Sequence, residues 1–161
     1  LKDNTMQEKQ VIRSLNWAYY AMMIISLIAL TGMYYGLLNG WYTPIDDKQS
    51  TLGMVIQYIV IFDALITIPG GLYGFKRLCE PLQTMEDRAE QLKRYRKIAM
   101  WRIVLVSSAM PLGIIAFYWL GAYKSMLWVA AIAAIAWYFT KPSEAKMEIE
   151  LTPKQPNEEN Y

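Results

Sequence analysis

Four apolar stretches separated by polar segments dominate the pattern of this 161-residue chain. They cover residues 16–38, 52–75, 98–120 and 126–140. Their apolar residues are nearly continuous, which is typical of membrane-spanning helices and not of the alternating faces of soluble helices or strands. The pattern predicts an all-α integral membrane protein with four transmembrane helices arranged as two hairpins.

Polar segments complete the predicted organisation around a transmembrane domain of residues 16–141. A charged lead-in covers residues 1–15, a charged connector covers residues 76–97, and a polar tail covers residues 142–161. In the connector, Thr84 opens a sequence typical of a helix start, and acidic residues precede basic ones as the helix dipole favours. We therefore expect a cytoplasmic helical extension that starts near Thr84 and continues into the third span.

The distribution of basic residues predicts the orientation. Of the 16 Lys and Arg residues, all but Lys48 and Lys124 fall in or beside the lead-in, the connector and the tail. Segments rich in Lys and Arg remain on the cytoplasmic side of a membrane. Both termini and the connector are therefore expected in the cytoplasm, and the expected location is the inner membrane of a bacterium.

Composition narrows the functional classes. The chain has no histidine and one cysteine, so it lacks the residues that most often bind haem or zinc and the histidine of catalytic triads. Its net charge of +2 gives no excess for binding nucleic acid. Neither a GxSxG nucleophile motif nor a phosphate-binding glycine loop occurs in the sequence. We expect no enzymatic activity, no cofactor, no metal and no nucleic-acid partner.

Asp63, at the middle of the second span, is the main candidate for a functional residue. A charged aspartate at the bilayer centre costs about 2.5–3.5 kcal/mol, so such residues face other helices. Three roles remain open: a neutral acid that hydrogen-bonds to a neighbouring helix, a proton or ion site, or a contact between subunits. The residues expected to form an intramembrane polar site with it are Gln57, Thr67, Ser26, Ser107 and Ser108.

Prolines interrupt two of the predicted spans. Pro69 is followed by Gly70 and Gly71 in the second span, and Pro111 lies in the third. Proline lacks the backbone N–H and frees a carbonyl four residues earlier, so both sites are predicted helix breaks or kinks. Broken helices bind substrates in some transporters, although prolines also simply shape helix bundles. We favour the interpretation that the prolines shape the helix bundle, and we keep substrate binding at a broken helix as the alternative.

Two further patterns indicate contacts outside the chain. Gly32, Gly36 and Gly40 lie four residues apart, a spacing that lets another helix approach closely. Besides the lipid bilayer itself, anionic lipid headgroups are expected at the basic end of the connector. The residues expected to bind them are Lys93, Arg94, Arg96, Lys97 and Arg102.

The sequence therefore predicts a non-enzymatic membrane protein that acts through helix contacts, as a homo-oligomer or as an accessory subunit of other membrane proteins. The alternative is a small proton- or ion-coupled transporter or channel that uses Asp63. The surroundings of Asp63 distinguish the two. Dry, hydrogen-bonded packing favours the first function, whereas a wet cavity favours the second.

Overall fold

The structure, a computed structural model, describes residues 2–45 and 49–152, and within these it is helical without any strand. The predicted all-α class is confirmed for this part of the chain. The part of the predicted tail after Thr152 lies outside the described residues. The helices are α1 (Lys2–Leu38), α2 (Thr51–Pro69), α3 (Phe75–Cys79), α4 (Arg88–Trp119), α5 (Lys124–Phe139) and α6 (Glu144–Leu151), with a π-helical segment (Gly70–Gly74) before α3 and a 3-10 turn (Glu80–Leu82) after it.

Three helical stretches of the described residues are long and apolar enough to cross a membrane: Thr5–Leu38, Thr51–Leu82 and Arg88–Trp119. Each exceeds the roughly 20 residues that cross a hydrocarbon core of about 30 Å. α5 is also apolar but has 16 residues, a length of about 24 Å. The membrane character expected from the sequence is therefore supported by three candidate spans and one shorter apolar helix.

α4 is the central helix of the bundle. It packs against α1, α2 and α5, and α2 also contacts α5. Small and apolar side chains of α4 are fully buried at these contacts, among them Ile103, Val106 and Ala109. α1 and α2 each pack chiefly on α4, so these consecutive helices do not form the closely packed hairpin that a two-hairpin arrangement implies. α4 and α5 do form such a pair.

The start of α4 differs from the prediction. The helix begins at Arg88, and the Asp87 side chain caps it by accepting a hydrogen bond from the Ala89 N–H at 3.0 Å. The predicted start at Thr84 was wrong because the Thr84 hydroxyl donates to the Pro81 carbonyl at 3.1 Å and so belongs to the preceding turn. The expected continuation into the third span is present, since Arg88–Trp119 is one helix.

The lead-in is part of α1 and packs against the rest of the chain. Val11, Ile12 and Leu15 are buried in one cluster with Leu92 and Tyr95 of α4. Their spacing of one and three residues places them on one side of the helix. This end of α1 therefore contributes to the core and is not a separate frayed segment.

α6 belongs to the same end of the bundle as the start of α1. Met147 and Leu151 are one turn apart and are buried in the cluster that also contains Val11, Cys79 and Leu82. Ser143 caps the helix by accepting a hydrogen bond from the Lys146 N–H at 3.3 Å. The first part of the predicted polar tail is thus a docked amphipathic helix.

The glycine run of α1 makes no close helix contact among the described residues. A Cβ at Gly32 would have no atom within 4 Å, whereas one at Gly36 would lie 3.2 Å from Cε1 of Tyr42, in the loop that follows α1. Gly40 lies beyond the helix with a φ of +67°, which glycine adopts without strain. Regular spacing alone did not identify the glycines at which helices of this chain meet.

Those glycines are Gly71 and Gly113. A Cβ at Gly71 would overlap Cγ2 of Val106, so the segment after α2 lies close against α4. A Cβ at Gly113 would lie 2.9 Å from the backbone N of Ala130 in α5. The missing side chains let the π-helical segment and α5 each lie close against α4.

Candidate functional site

Asp63 faces α4 and contacts one of its serines. The Ser108 hydroxyl donates to Oδ2 of Asp63 at 3.3 Å and also donates to the Leu105 carbonyl at 2.8 Å. The Thr67 hydroxyl donates to the backbone carbonyl of Asp63 at 2.6 Å. The structure thus brings together Asp63, Thr67 and Ser108 from the predicted polar site.

The remaining members of that predicted site lie elsewhere. Ser26 donates to the Met22 carbonyl within α1 at 2.9 Å, and Ser107 donates to the Ile103 carbonyl within α4. Ser26, expected as a partner of Asp63, therefore bonds within α1, and α1 packs chiefly on α4. Gln57 lies six residues before Asp63 and lines a cavity of about 400 Å³ near the loop end of α2, together with Gln49, Met54, Tyr58, Ile61 and Tyr123. The six residues do not form one site.

Pro69, Gly70 and Gly71 do not break the second span. The backbone angles of Pro69, Gly70, Gly74 and Phe75 are right-handed helical, and Gly70–Gly74 forms a π-helical turn. The Gly70 N–H donates to the carbonyls of Ile66 and Thr67, so the chain stays hydrogen-bonded past the proline. A π-helical turn widens a helix by inserting one residue, a distortion that often occurs at functional sites.

Pro111 does not break its helix either. It lies inside α4, which continues without interruption to Trp119. The missing N–H leaves the Ser107 carbonyl without its usual helical donor. The structure therefore contains one widened span and one proline within a continuous helix, and no pair of broken helices in its described part.

Arg102 lies at the centre of a polar cluster that the sequence did not reveal. Its Nη1 is 3.1 Å from Oε1 of Glu150, and the Tyr95 hydroxyl donates to Oε2 of the same glutamate at 2.6 Å. The Arg102 guanidinium carbon lies 3.8 Å from the ring centroid of Phe75, a cation–π geometry. The ion pair is largely shielded from solvent, which strengthens it but makes removal of one partner costly.

Further hydrogen bonds extend this cluster across the end of the bundle. The Gln83 side chain donates to the Glu150 carbonyl at 3.0 Å, and the Gln91 side chain donates to the Leu82 carbonyl at 2.7 Å. Arg88 forms an ion pair of 2.7 Å with Glu8 of α1. These contacts join α1, the 3-10 turn, α4 and α6. Glu150 is the functional candidate that the sequence analysis missed. The spacing of Met147 and Leu151, one helical turn apart, could have indicated a docked helix that carries Glu150 to this end of the bundle.

A groove lies between the π-helical segment and α4, with a volume of about 510 Å³. Basic side chains line it at the end where α4 begins, and apolar side chains line the remainder. Lys93 and Arg96, also expected to bind lipid, are exposed on α4 but do not line it. The lining residues are Gly70, Gly71, Phe75, Leu78, Arg94, Lys97, Ile98, Trp101, Arg102 and Leu105.

In the described residues, no group of three or more His, Cys, Asp or Glu side chains is placed to hold a metal ion. Comparison with known proteins gives no family: no family model matches the chain, and no curated protein and no solved structure is similar to it. The function must therefore be inferred from the chemistry and geometry of the chain itself.

Proposed function

We propose that this protein is a four-span membrane protein that acts without catalysis, through contacts of its helices with a second copy or with other membrane subunits. Both ends of the described chain and the connector would lie in the cytoplasm of a bacterium. The polar groups inside the spans would bond within their own helices or to one neighbouring helix and would not conduct protons or ions.

Four hydroxyl groups inside the spans are the observation that carries the proposal. Each of the four donates to the backbone carbonyl four residues earlier in its own helix. A transport site needs polar side chains from several helices that converge on one substrate or ion. Hydroxyls that are satisfied within their own helices favour a structural role instead. The residues concerned are Ser26, Thr31, Thr67 and Ser107.

The return of the chain along α5 supports a fourth span. α4 and α5 are joined by a tight turn in which Gly121 and Ala122 have positive φ angles, so α5 packs back along α4. α6 then contacts α1 and α3 at the end where α1 begins. A helix of 16 residues is short for a span, but its alanines Ala130, Ala133 and Ala136 are buried in the bundle. Local bilayer thinning accommodates the difference.

The outer half of α1 supports a role in contacts with another chain. Ile28 is 64% exposed and Tyr35 is 60% exposed, and Gly32 lies between them with no atom within 4 Å of a Cβ position. A small residue in an apolar membrane-embedded face lets a second helix approach its backbone. We propose this face, Ile28 to Tyr35, as the contact surface.

To test the proposal, the protein is extracted from its membrane together with the surrounding lipid, and the protein mass of the resulting particle is measured. We expect a particle whose protein mass exceeds the 18.6 kDa of one chain. Gly32→Leu would insert volume into the contact surface and shift the particle towards one chain. Gly74→Leu is the matched control, because Gly74 is also open to its surroundings but lies on another helical segment.

Two results would contradict the proposal. One is a wild-type particle that contains a single chain and no other protein. The other is an equal loss of assembly in Gly32→Leu and Gly74→Leu, because the loss would then not depend on the α1 surface.

A further inference from the structure

The groove beside the π-helical segment is basic at one end and apolar along the remainder, which complements an anionic phospholipid. Along α4, the lining proceeds from Arg94 and Lys97 to Ile98, Trp101 and Leu105. From Lys97 to Leu105 the helix rises about 12 Å. The positive charges therefore lie at one end of the groove and the apolar walls continue from them towards the middle of the span.

The groove opens sideways, towards the surface that the bundle presents to the bilayer. Leu78 is 57% exposed and Trp101 is 60% exposed, and both line it. On the opposite wall, Gly70 has no side chain and no atom within 4 Å of a Cβ position. The neighbouring Gly71 lies against Val106 of α4, so the π-helical segment and α4 are in contact at the bottom of the groove. The glycines after Pro69 thus shape a space that larger residues would fill.

The basic side chains at the groove differ in whether a carboxylate neutralises them. Arg94 is bonded to Glu90 at 2.6 Å, and Arg102 is bonded to Glu150 at 3.1 Å. Lys97 has no ion pair within the described part of the chain. An anionic group at this end would contact Lys97 directly, and Arg94 and Arg102 would add positive potential around it.

From this geometry we propose that the groove binds a phospholipid with an anionic headgroup from the cytoplasmic leaflet. The lipid phosphate contacts Lys97, with Arg94 and Arg102 beside it, and one acyl chain lies along Ile98, Trp101 and Leu105. The headgroup supplies the charge that complements the basic end, and the acyl chain matches the apolar walls. The binding site does not depend on whether the protein acts through α1 contacts.

Lipid binding to the purified protein in detergent, followed by native mass spectrometry, tests this proposal. The probes are phosphatidylglycerol and phosphatidylcholine with identical acyl chains. We expect the wild-type protein to retain phosphatidylglycerol more strongly. Lys97→Gln should lower that retention about fivefold, the effect of removing one basic residue beside an anionic lipid. Arg96→Gln is the charge-matched control, because Arg96 does not line the groove.

A second pair of variants tests the acyl-chain part of the groove. Gly70→Leu places a side chain in the groove and should lower retention of both lipids. Gly74→Leu places the same side chain in open space outside the groove lining and should leave retention unchanged. The helical content of each variant, measured by circular dichroism, identifies any variant that has unfolded. If Gly70→Leu unfolds, the comparison of Lys97→Gln with Arg96→Gln decides the proposal.

Three outcomes would overturn the proposal. Equal losses in Lys97→Gln and Arg96→Gln would show diffuse attraction to basic residues. Normal retention in a folded Gly70→Leu variant would place the lipid elsewhere. Displacement of phosphatidylglycerol by an equal concentration of inorganic phosphate would assign the basic end to a soluble anion.

Discussion

Gly71 and Gly113 set the distance between the helices that carry the candidate sites. At both positions the backbone of one helix meets a neighbouring helix where a side chain would otherwise stand. The sequence did not identify either glycine as a point of close helix contact, because spacing reveals which residues share a face but not which face meets a partner. It did identify Asp63 and Ser108 as neighbours, since depth in the membrane follows directly from position along two helices.

Gly113→Ala should destabilise the bundle. The added methyl would lie 2.9 Å from the backbone N of Ala130, and a backbone cannot move aside as a flexible side chain can. We expect the free energy of unfolding in detergent to fall by about 1–3 kcal/mol, as for other overpacked cores. Denaturant unfolding followed by circular dichroism measures this change.

Gly74→Ala is the matched control for that variant. Its methyl would meet no atom within 4 Å, and alanine favours a helix over glycine by up to about 1 kcal/mol. We expect unchanged or slightly higher stability. A Gly113→Ala variant as stable as Gly74→Ala would mean that α4 and α5 do not approach each other at Gly113.

At the scale of the helix, apolar runs predicted where helices form but not how they end or distort. The existence of the first three spans follows from long apolar stretches, which α1, α2 and α4 contain. The start of α4 at Arg88 depended on which side chain caps the backbone, and Asp87 caps it where Thr84 had been expected to. The second span stays continuous past Pro69 because the Gly70 N–H still donates to the carbonyls of Ile66 and Thr67. No periodic pattern indicates these hydrogen bonds.

The crossing of α5 can be tested by cysteine labelling in cells. Ser125 lies in the first turn of α5 and Ala145 lies in α6, and both are exposed. If α5 crosses the membrane, Ser125→Cys should react with an impermeant maleimide in intact cells, and Ala145→Cys should react only after the cells are opened. The parent protein, whose Cys79 is buried, reports the background.

Arg96→Cys in the connector provides the reference for the cytoplasmic side. It should label together with Ala145→Cys. Equal labelling of Ser125→Cys and Ala145→Cys in intact cells would place both ends of α5 on one side and would rule out the fourth span.

At the scale of the whole molecule, α4 organises the bundle and α6 closes one end of it. Hydropathy predicted the apolar helices α1, α2, α4 and α5 but not their neighbours, because apolar lengths carry no information about which faces meet. The pairing of Arg102 with Glu150, 48 residues apart, depends on the docking of α6. The sequence suggested instead that Arg102 faces lipid headgroups, whereas the structure pairs it with Glu150 beside the groove.

The central claim is that polar groups inside the spans have a structural role and do not carry protons. Proton flux into liposomes that contain the purified protein tests it most directly, with Asp63→Asn as the variant. Asparagine keeps the size of the side chain and its ability to bond Ser108, but it cannot ionise. We predict that wild-type and Asp63→Asn liposomes both match protein-free liposomes under an imposed pH gradient and membrane potential. Wild-type flux above that level, abolished in a well-folded Asp63→Asn variant, would contradict the account.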